Sequence, residues 1–405
     1  MSVNIKRLCR QISLSFLVSM VLLPSPLVAS AKMLTYLKEY QYQASEVDSK
    51  LTCRTIAIEQ VKRLLLEELG TYLMSETEVK DFDLTKDRIA SLTAGIVSTV
   101  ILEEKWDGQV YFLKAKISTD TDELVKFIDR IRRDYEQSKN WEEMREKTEK
   151  ALKEIEQLKK EIGKGDAAKV SQEKYANVVN ELNAVDWFKK GYALSHIGIE
   201  KIRKNDQEAM KAFDKAIEID PNYAQAYAAR CSIYTEWEQF EKALKESNQA
   251  IRLKPNLAWG FNCRGYAHTG LENYKEAIQD YNQALALAPK YVWVYCNRSW
   301  TYMRMNKNQQ ALEDANKAIE LAPDFSTAYF RRGRALAALN NFQDAIKDFD
   351  QAIELNRGFS WSYFRRGQAL LKLNKQDQAL GDFKQAARLG NVEAQNYLKR
   401  RSIQW

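Results

Sequence analysis

Residues 258–291 read AWGFNCRGYAHTGLENYKEAIQDYNQALALAPKY, and the same 34-residue frame recurs on both sides of them. Pro221, Pro255, Pro289 and Pro323 stand 34 residues apart, and Arg357 takes the next place in the series. With Ala224, Ala258, Val292, Ser326 and Ser360 as first places, the columns align. The eighth place holds Cys231, Gly265, Ser299, Gly333 and Gly367, and the twentieth holds Ala243, Ala277, Ala311, Ala345 and Ala379. The twenty-seventh holds Ala250, Ala284, Ala318, Ala352 and Ala386. An aromatic takes the fourth place throughout: Tyr227, Phe261, Tyr295, Tyr329 and Tyr363. Two antiparallel helices pack closely only where small residues sit at the approach of their axes. The aromatic fills the space between neighbouring units. Proline cannot continue the hydrogen-bond ladder, so it ends the second helix of each unit. Such helical hairpins bury a continuous core only by stacking.

In spacing, order and residue type, this pattern resembles the tetratricopeptide repeat (TPR), and the resemblance covers residues 184–393. A sixth copy precedes the five aligned ones, with Trp187, Gly191, Ala209, Phe213, Ala216 and Pro221 in order. Its run from Leu194 to Ala209 is six residues longer than its counterparts, so an extended helix or a looser turn is expected there. After Gly390, Val392–Arg400 suits a helix with Tyr397 and Leu398 inward, and residues 394–405 cap the open end of the stack. The expected fold is mainly α: a TPR α-solenoid preceded by a small α+β domain and a short coiled-coil helix.

Two side-chain sets follow the repeat. Arg230, Arg264, Arg298, Arg332 and Arg366 hold the seventh place; Glu246, Asp280, Asp314, Asp348 and Asp382 hold the twenty-third. In-phase acids predict an ion pair joining the two helices of each repeat; the rival is an arginine track for an acidic ligand. The TPR resemblance implies that the second, fifth, ninth and twelfth places line a concave groove. These hold Trp259, Asn262 and Tyr266; Trp293, Cys296, Trp300 and Met303; Phe330 and Arg334; and Trp361, Phe364 and Gln368. Left empty, so aromatic a groove exposes apolar surface of the kind that marks partner sites. The alternative is that these rings pack on one another. TPR proteins of the carboxylate-clamp kind hold a peptide's C-terminus with Lys, Asn and Arg at set groove places. Only Asn297 and Arg331 match here and the lysines are missing, so no clamp is expected.

The front half differs in texture. Asp48 to Tyr72 carries Leu51, Ile58, Val61, Leu65, Leu66 and Leu69 at helical spacing. Ile96–Trp106 and Val110–Ile117 are β-rich runs joined at Asp107-Gly108, a hairpin signal. Asp120 caps a further helix bearing Leu124, Phe127, Ile128 and Ile131, and Tyr36–Tyr42 can add an edge strand. The result is a small α+β domain over 32–133, whose texture resembles small bacterial envelope domains of the LPP20 and flagellar FlgT N-terminal type. Trp141, Met144, Thr148, Ala151, Ile155, Leu158 and Ile162 then form a coiled-coil seam within 134–165. The seam either pairs with a second chain, as a homodimer through 141–162, or folds back on Val170–Val185 in the connecting segment 166–183, with Gly163 and Gly165 at the bend.

Residues 1–31 read as an export signal: Lys6, Arg7 and Arg10, an apolar run from Ile12 to Leu23, and Ala29-Ser30-Ala31 before Lys32. An uncleaved anchor is the rival reading. No second long apolar stretch follows, so no membrane span is expected after signal removal. The net charge of +7 is spread along the chain, without the concentrated patch that nucleic acid requires. Cys53, Cys231, Cys263 and Cys296 lie in no C-x-x-C pair and at no zinc spacing, so buried free thiols are the expectation, although an exported chain could oxidise them. His196 and His268 are the only histidines and lie in separate repeats. No nucleophile motif, P-loop or dinucleotide fingerprint occurs. These features point away from an enzyme and from any cofactor. They point to a periplasmic or secreted adaptor that holds a protein or peptide in its groove within a bacterial envelope complex. The alternative is a structural homodimer held by the seam.

Overall fold

The computed structural model describes residues 33–45, 48–76, 99–120, 135–162, 168–195 and 202–405. The export signal, the helix expected after Asp120, the bend at Gly163 and Gly165, and His196 lie outside the described residues.

Strand β1 (Met33–Gln43), helix α1 (Lys50–Glu76), β2 (Thr99–Trp106) and β3 (Val110–Asp120) open the fold. The sheet is antiparallel in the order β1-β3-β2, so the last strand in sequence lies at the centre. Asp107 Oδ1 accepts the backbone N–H groups of Gln109 at 2.8 Å and Val110 at 2.6 Å, and Gly108 supplies a φ of 98°. Alternation puts Tyr111, Leu113, Ala115 and Ile117 on the inner face of β3. Opposite them, α1 presents Cys53, Ala57, Val61, Leu65 and Leu69, one per turn and all buried.

The other side of α1 meets a helical hairpin formed by α2 (Tyr135–Ile162) and α3 (Ala168–Ser195). Ala151, Leu152, Ile155 and Leu158 of α2 pack against Tyr175, Val178, Val179 and Leu182 of α3, with Ile56 of α1 closing the cluster. Met144, Ala151, Ile155 and Leu158 of the seam are thus buried inside the chain, which is the fold-back arrangement on Val170–Val185. Asp48 ties the front corner down: it accepts from Ser45 N at 2.7 Å, from Lys159 Nζ at 2.8 Å and from the Tyr175 hydroxyl. Lys62 on α1 bridges Glu59 and Asp186 of α3.

The solenoid continues as α4 (Ile202–Ile219), α5 (Ala224–Glu236), α6 (Phe240–Leu253), α7 (Ala258–Gly270), α8 (Tyr274–Leu287), α9 (Val292–Arg304), α10 (Asn308–Leu321), α11 (Ser326–Ala338), α12 (Phe342–Leu355), α13 (Ser360–Lys372), α14 (Gln376–Arg388) and α15 (Val392–Lys399). One correction concerns the join at 183/184. Helix α3 runs unbroken through it and is both the hairpin's second arm and the first repeat's first helix. The core is shared as well, since one buried cluster contains Leu113 of the sheet, Val61 of α1 and Phe188, Phe213 and Ala226 of the solenoid.

Within each repeat the small residues work as spacing implies. A Cβ added at Gly333 would lie 2.8 Å from Phe349 Cε1, so the ring fits only against a bare backbone. The turn after each first helix has Glu238, Glu272, Asn306, Asn340 or Asn374 at φ between 57° and 63°. The next N–H reaches back five residues, as in Gln239 N to Tyr234 O at 2.8 Å and Lys307 N to Tyr302 O at 2.8 Å. This left-handed cap ends the helix and reverses the chain.

Candidate functional site

Each seventh-place arginine joins three helices. Arg298 donates through Nε and Nη2 to Asp314 at 2.8 and 2.7 Å, and through Nη1 to Asn282 of the preceding repeat at 2.6 Å. The same fork recurs from Arg264 to Asp280 and Asn248, from Arg332 to Asp348 and Asn316, and from Arg366 to Asp382 and Asp350. Arg230 pairs with Glu246 and Asp214. Each guanidinium also lies over its own fourth-place ring, at 5.4 to 5.7 Å from the centroid. These arginines are bound on all sides and are not an open track. The second partner, sixteen residues upstream, escaped the sequence reading, although Asp214, Asn248, Asn282, Asn316 and Asp350 are themselves 34 residues apart.

The concave side holds a cavity of about 430 Å³ bounded by α3, α4, α5, α7, α9 and α11. Trp259, Tyr266 and Trp293 line it, with Asn262, Asn297 and Arg331. Trp293 is 38% exposed, a large apolar surface for a ring inside a groove, and it lies edge-on to Phe325 at 4.8 Å. Trp259 Nε1 donates to Ser232 Oγ at 3.0 Å, and the buried side chains of Asn297 and Asn262 bond at 3.1 Å. Trp300 stacks beside Tyr266 at 5.1 Å, outside the cavity lining.

The fifth place is a correction. Phe330 and Phe364 are only 5% and 6% exposed, and Cys296 is fully buried. Phe330 packs on Phe349 and Phe359, and Phe364 on Phe383. Only Asn262 among the fifth-place residues reaches the cavity. The sixth place does so instead, through Ala229, Cys263, Asn297 and Arg331. Places two, six, nine and thirteen follow the i, i+4, i+7, i+11 stripe of one helix face, and place five falls a helical step away, toward the repeat's own interior. Trp361 is half-buried against Phe364, beyond the cavity.

Models of the tetratricopeptide repeat match residues 200–223 and 224–257, residues 258–291, and residues 296–358. These matched stretches of the solenoid are tetratricopeptide repeats. Solved structures are similar to part of the chain at low identity. PilF of Pseudomonas aeruginosa is 21% identical, covering 56% of this chain and 98% of its own, with a TM-score of 0.42. A TPR protein of Parabacteroides merdae is 24% identical, covering 62% and 97%, with a TM-score of 0.45. YrrB, a TPR protein with an unusual peptide-binding site, is 21% identical over 47% of this chain and 99% of its own, with a TM-score of 0.34. No curated protein matches the chain significantly.

The TPR groove carries charge that the ladder does not neutralise. Arg331, Arg334 and Arg365 make no ion pair among the described residues. The Nε atoms of Arg331 and Arg365 are buried without a hydrogen-bond partner. Arg365 Nη1 donates to the amide of Gln368 at 2.9 Å, and burial lowers its pKa against the opposing field of Glu393. Arg331 lies over Trp300 and Phe330 at 5.7 and 5.8 Å, and Arg365 over Trp361 at 5.6 Å. Burial, then the fields of Arg331, Arg365 and Arg304, push the Arg334 guanidinium down to about 9. Burial opposes the charge of ladder Arg298 too, but its bonds to Asp314 outweigh it and raise its pKa.

The opposite end of the TPR groove is acidic. Asp206 and Glu236 line the cavity. Asp206 is 4% exposed and its Oδ2 has no partner. Burial raises its pKa against the opposing pull of a hydrogen bond from Trp237. Glu236 is exposed at the cavity rim, and partial desolvation of its carboxyl, then Asp206, raises its pKa. Tyr266 stands between the two ends. Burial raises its phenol, Arg331 opposes the shift, and Glu236 and Glu238 add to it.

The cysteines also depart from expectation. Cys231 and Cys263 form a disulfide, Cα–Cα 6.3 Å, that staples the first helices of adjacent TPR units at the cavity wall. The eighth place of one repeat and the sixth of the next face each other across the stack, so the two sulfurs meet. Cys53 and Cys296 are buried free thiols, and burial raises both, Cys53 to about 11 and Cys296 to about 12. Thiols held protonated are poor nucleophiles. Among the described residues no group of His, Cys, Asp and Glu is placed to hold a metal, and no helix is long and apolar enough to cross a membrane.

Proposed function

We propose that this chain is an exported TPR adaptor that holds an extended segment of a protein partner in its concave groove, within a bacterial envelope complex. The observation that carries this reading is the cavity with Trp293 open at its wall and Trp259 and Tyr266 behind it. Aromatic anchors at a concave, partly desolvated site are where binding energy concentrates. Export is supported by the charged, apolar and small-residue order of residues 1–31 and by the Cys231–Cys263 bond, since cytosolic thiols are kept reduced. The front sheet, fused to the solenoid through α1 and α3, offers a second surface to the same complex.

A random peptide library displayed on phage tests the groove. Peptides enriched on the wild-type chain are expected to bind about tenfold or more weakly to Trp293→Ala, with circular dichroism melts unchanged. Peptides that bind both proteins equally would sink the groove reading. Export is checked by N-terminal sequencing of the chain recovered from periplasm, where Lys32 is the expected first residue. A chain confined to the cytosol and starting at Met1 contradicts it.

A further inference from the structure

We propose that the groove selects a peptide whose charge changes sign along its length, with Lys or Arg over Asp206 and Glu236, apolar side chains over the central rings, and Asp or Glu over Arg331, Arg334 and Arg365. This rests on the groove reading above and specifies the chemistry of its occupant.

The first argument is the contrast between two kinds of arginine on the same helices. Arg332 and Arg366 are neutralised by Asp348 and Asp382. Arg331 and Arg365, one residue earlier in each case, keep a buried Nε without any acceptor. Their charge is lodged against the aromatic faces of Trp300, Phe330 and Trp361, and their unpartnered Nε donors are what a carboxylate entering the groove would satisfy. Arg334 lies over Phe330, and burial, then the fields of Arg331, Arg365 and Arg304, depress its pKa. A cluster of like charges that is partly desolvated and has no direct ion pair, with only the field of Glu393 acting on Arg365, costs stability in the empty protein. A bound carboxylate removes that cost and adds charge-assisted, bidentate hydrogen bonds.

The second argument is the reversal of sign. Asp206 and Glu236 are raised carboxylates with no cation beside them among the described residues, and both face the same cavity as Arg331. A ligand of uniform charge gains at one end of this groove and loses at the other. That disfavours RNA and anionic membrane surfaces, whose phosphates would meet Asp206 and Glu236. It also differs from a grip on a chain-terminal carboxylate, because the arginines are spread over two repeats and lie on aromatic faces. A polypeptide can carry both signs in order along an extended strand. Electrostatic complementarity of this kind fixes register and direction more than it adds affinity.

The test is a comparison of the peptides selected on four proteins: the full chain, Trp293→Ala, the double variant Arg334→Gln/Arg365→Gln, and the double variant Asp206→Asn/Glu236→Gln. Enriched peptides are expected to share basic residues at one end and acidic residues at the other. The arginine variant should lose only the acidic enrichment, and bind a selected peptide about tenfold more weakly. The carboxyl variant should lose only the basic enrichment, with about a threefold loss. Thermal melts separate folding from recognition, and neither variant is expected to melt earlier, because each removes an uncompensated charge. Selected peptides without charge order overturn the proposal and leave the groove reading standing, provided Trp293→Ala weakens them. Indifference to Trp293→Ala brings down both. Displacement of the peptide by an oligoadenylate RNA at lower concentration than by the peptide itself also overturns the proposal, since the arginines would then serve a polyanion.

Discussion

Arg331 and Arg332 are neighbours in the chain and opposites in circumstance. Arg332 lies between helices with carboxylate and amide partners on both sides; Arg331 faces the groove with its guanidinium laid on aromatic rings. Arg365 and Arg366 repeat the contrast one unit later. A rotation of about 100° on a helix turns a guanidinium from a joint of the solenoid into a charge looking for a partner. Stability and recognition therefore occupy adjacent columns of the same repeat.

The largest effect should come from breaking a rung. Asp314→Ala leaves Arg298 half-buried with only Asn282, and should cost about 3 kcal/mol in urea denaturation. A cost below about 0.5 kcal/mol would place the rung among ordinary surface pairs. Arg331→Met should instead be neutral or raise stability by about 1 kcal/mol, since it removes a desolvated charge and keeps the stem's packing. A loss of about 3 kcal/mol, as expected for a broken rung, would erase the distinction between the two columns.

The pH dependence sharpens the contrast from the acidic end. The Asp206 pKa is raised by burial, so the folded chain binds more protons than the unfolded chain just above the ordinary carboxylate range. Its contribution to stability is therefore greatest at low pH and falls as pH rises through that window. Asp206→Asn should match the wild type in acid and exceed it at neutral pH in paired thermal melts. A difference that is constant with pH would mean that Asp206 is not held in an unfavourable ionised state. The smallest effect belongs to the exposed half of a rung. Asn282→Ala removes one bond to Arg298 and should cost about 0.5 kcal/mol in the same denaturation assay. A cost as large as that of Asp314→Ala would show that the link between repeats matters as much as the link within one.

The solenoid was legible because its period is a packing rule. Gly333 must be small where Phe349 crosses it, and the alanine columns obey the same constraint, so geometry is written directly into residue size. The groove was only half legible. Trp259, Tyr266 and Trp293 fall at places two and nine, where the resemblance put them, but Phe330 and Phe364 turn inward because place five borders the repeat's own core. The sixth-place column of Ala229, Cys263, Asn297, Arg331 and Arg365 carried the missing signal, since a column that tolerates amide and guanidinium groups is not a core column. The disulfide was hidden because Cys231 and Cys263 occupy different places, and only the rotation between stacked units brings them together. The fate of the seam at Met144 to Leu158 depended on which apolar surface lay nearer, and α3 is tethered by a short connection.

Helix α3 has a mechanical consequence. Val179 belongs to the hairpin core and Tyr192 to the wall of the groove, yet both ride on one uninterrupted rod, about 20 Å apart at 1.5 Å per residue. A tilt imposed where the sheet and α1 grip one end of the rod is delivered as a displacement at the other. Whatever loads the front of the molecule thus has a lever on the mouth of the groove.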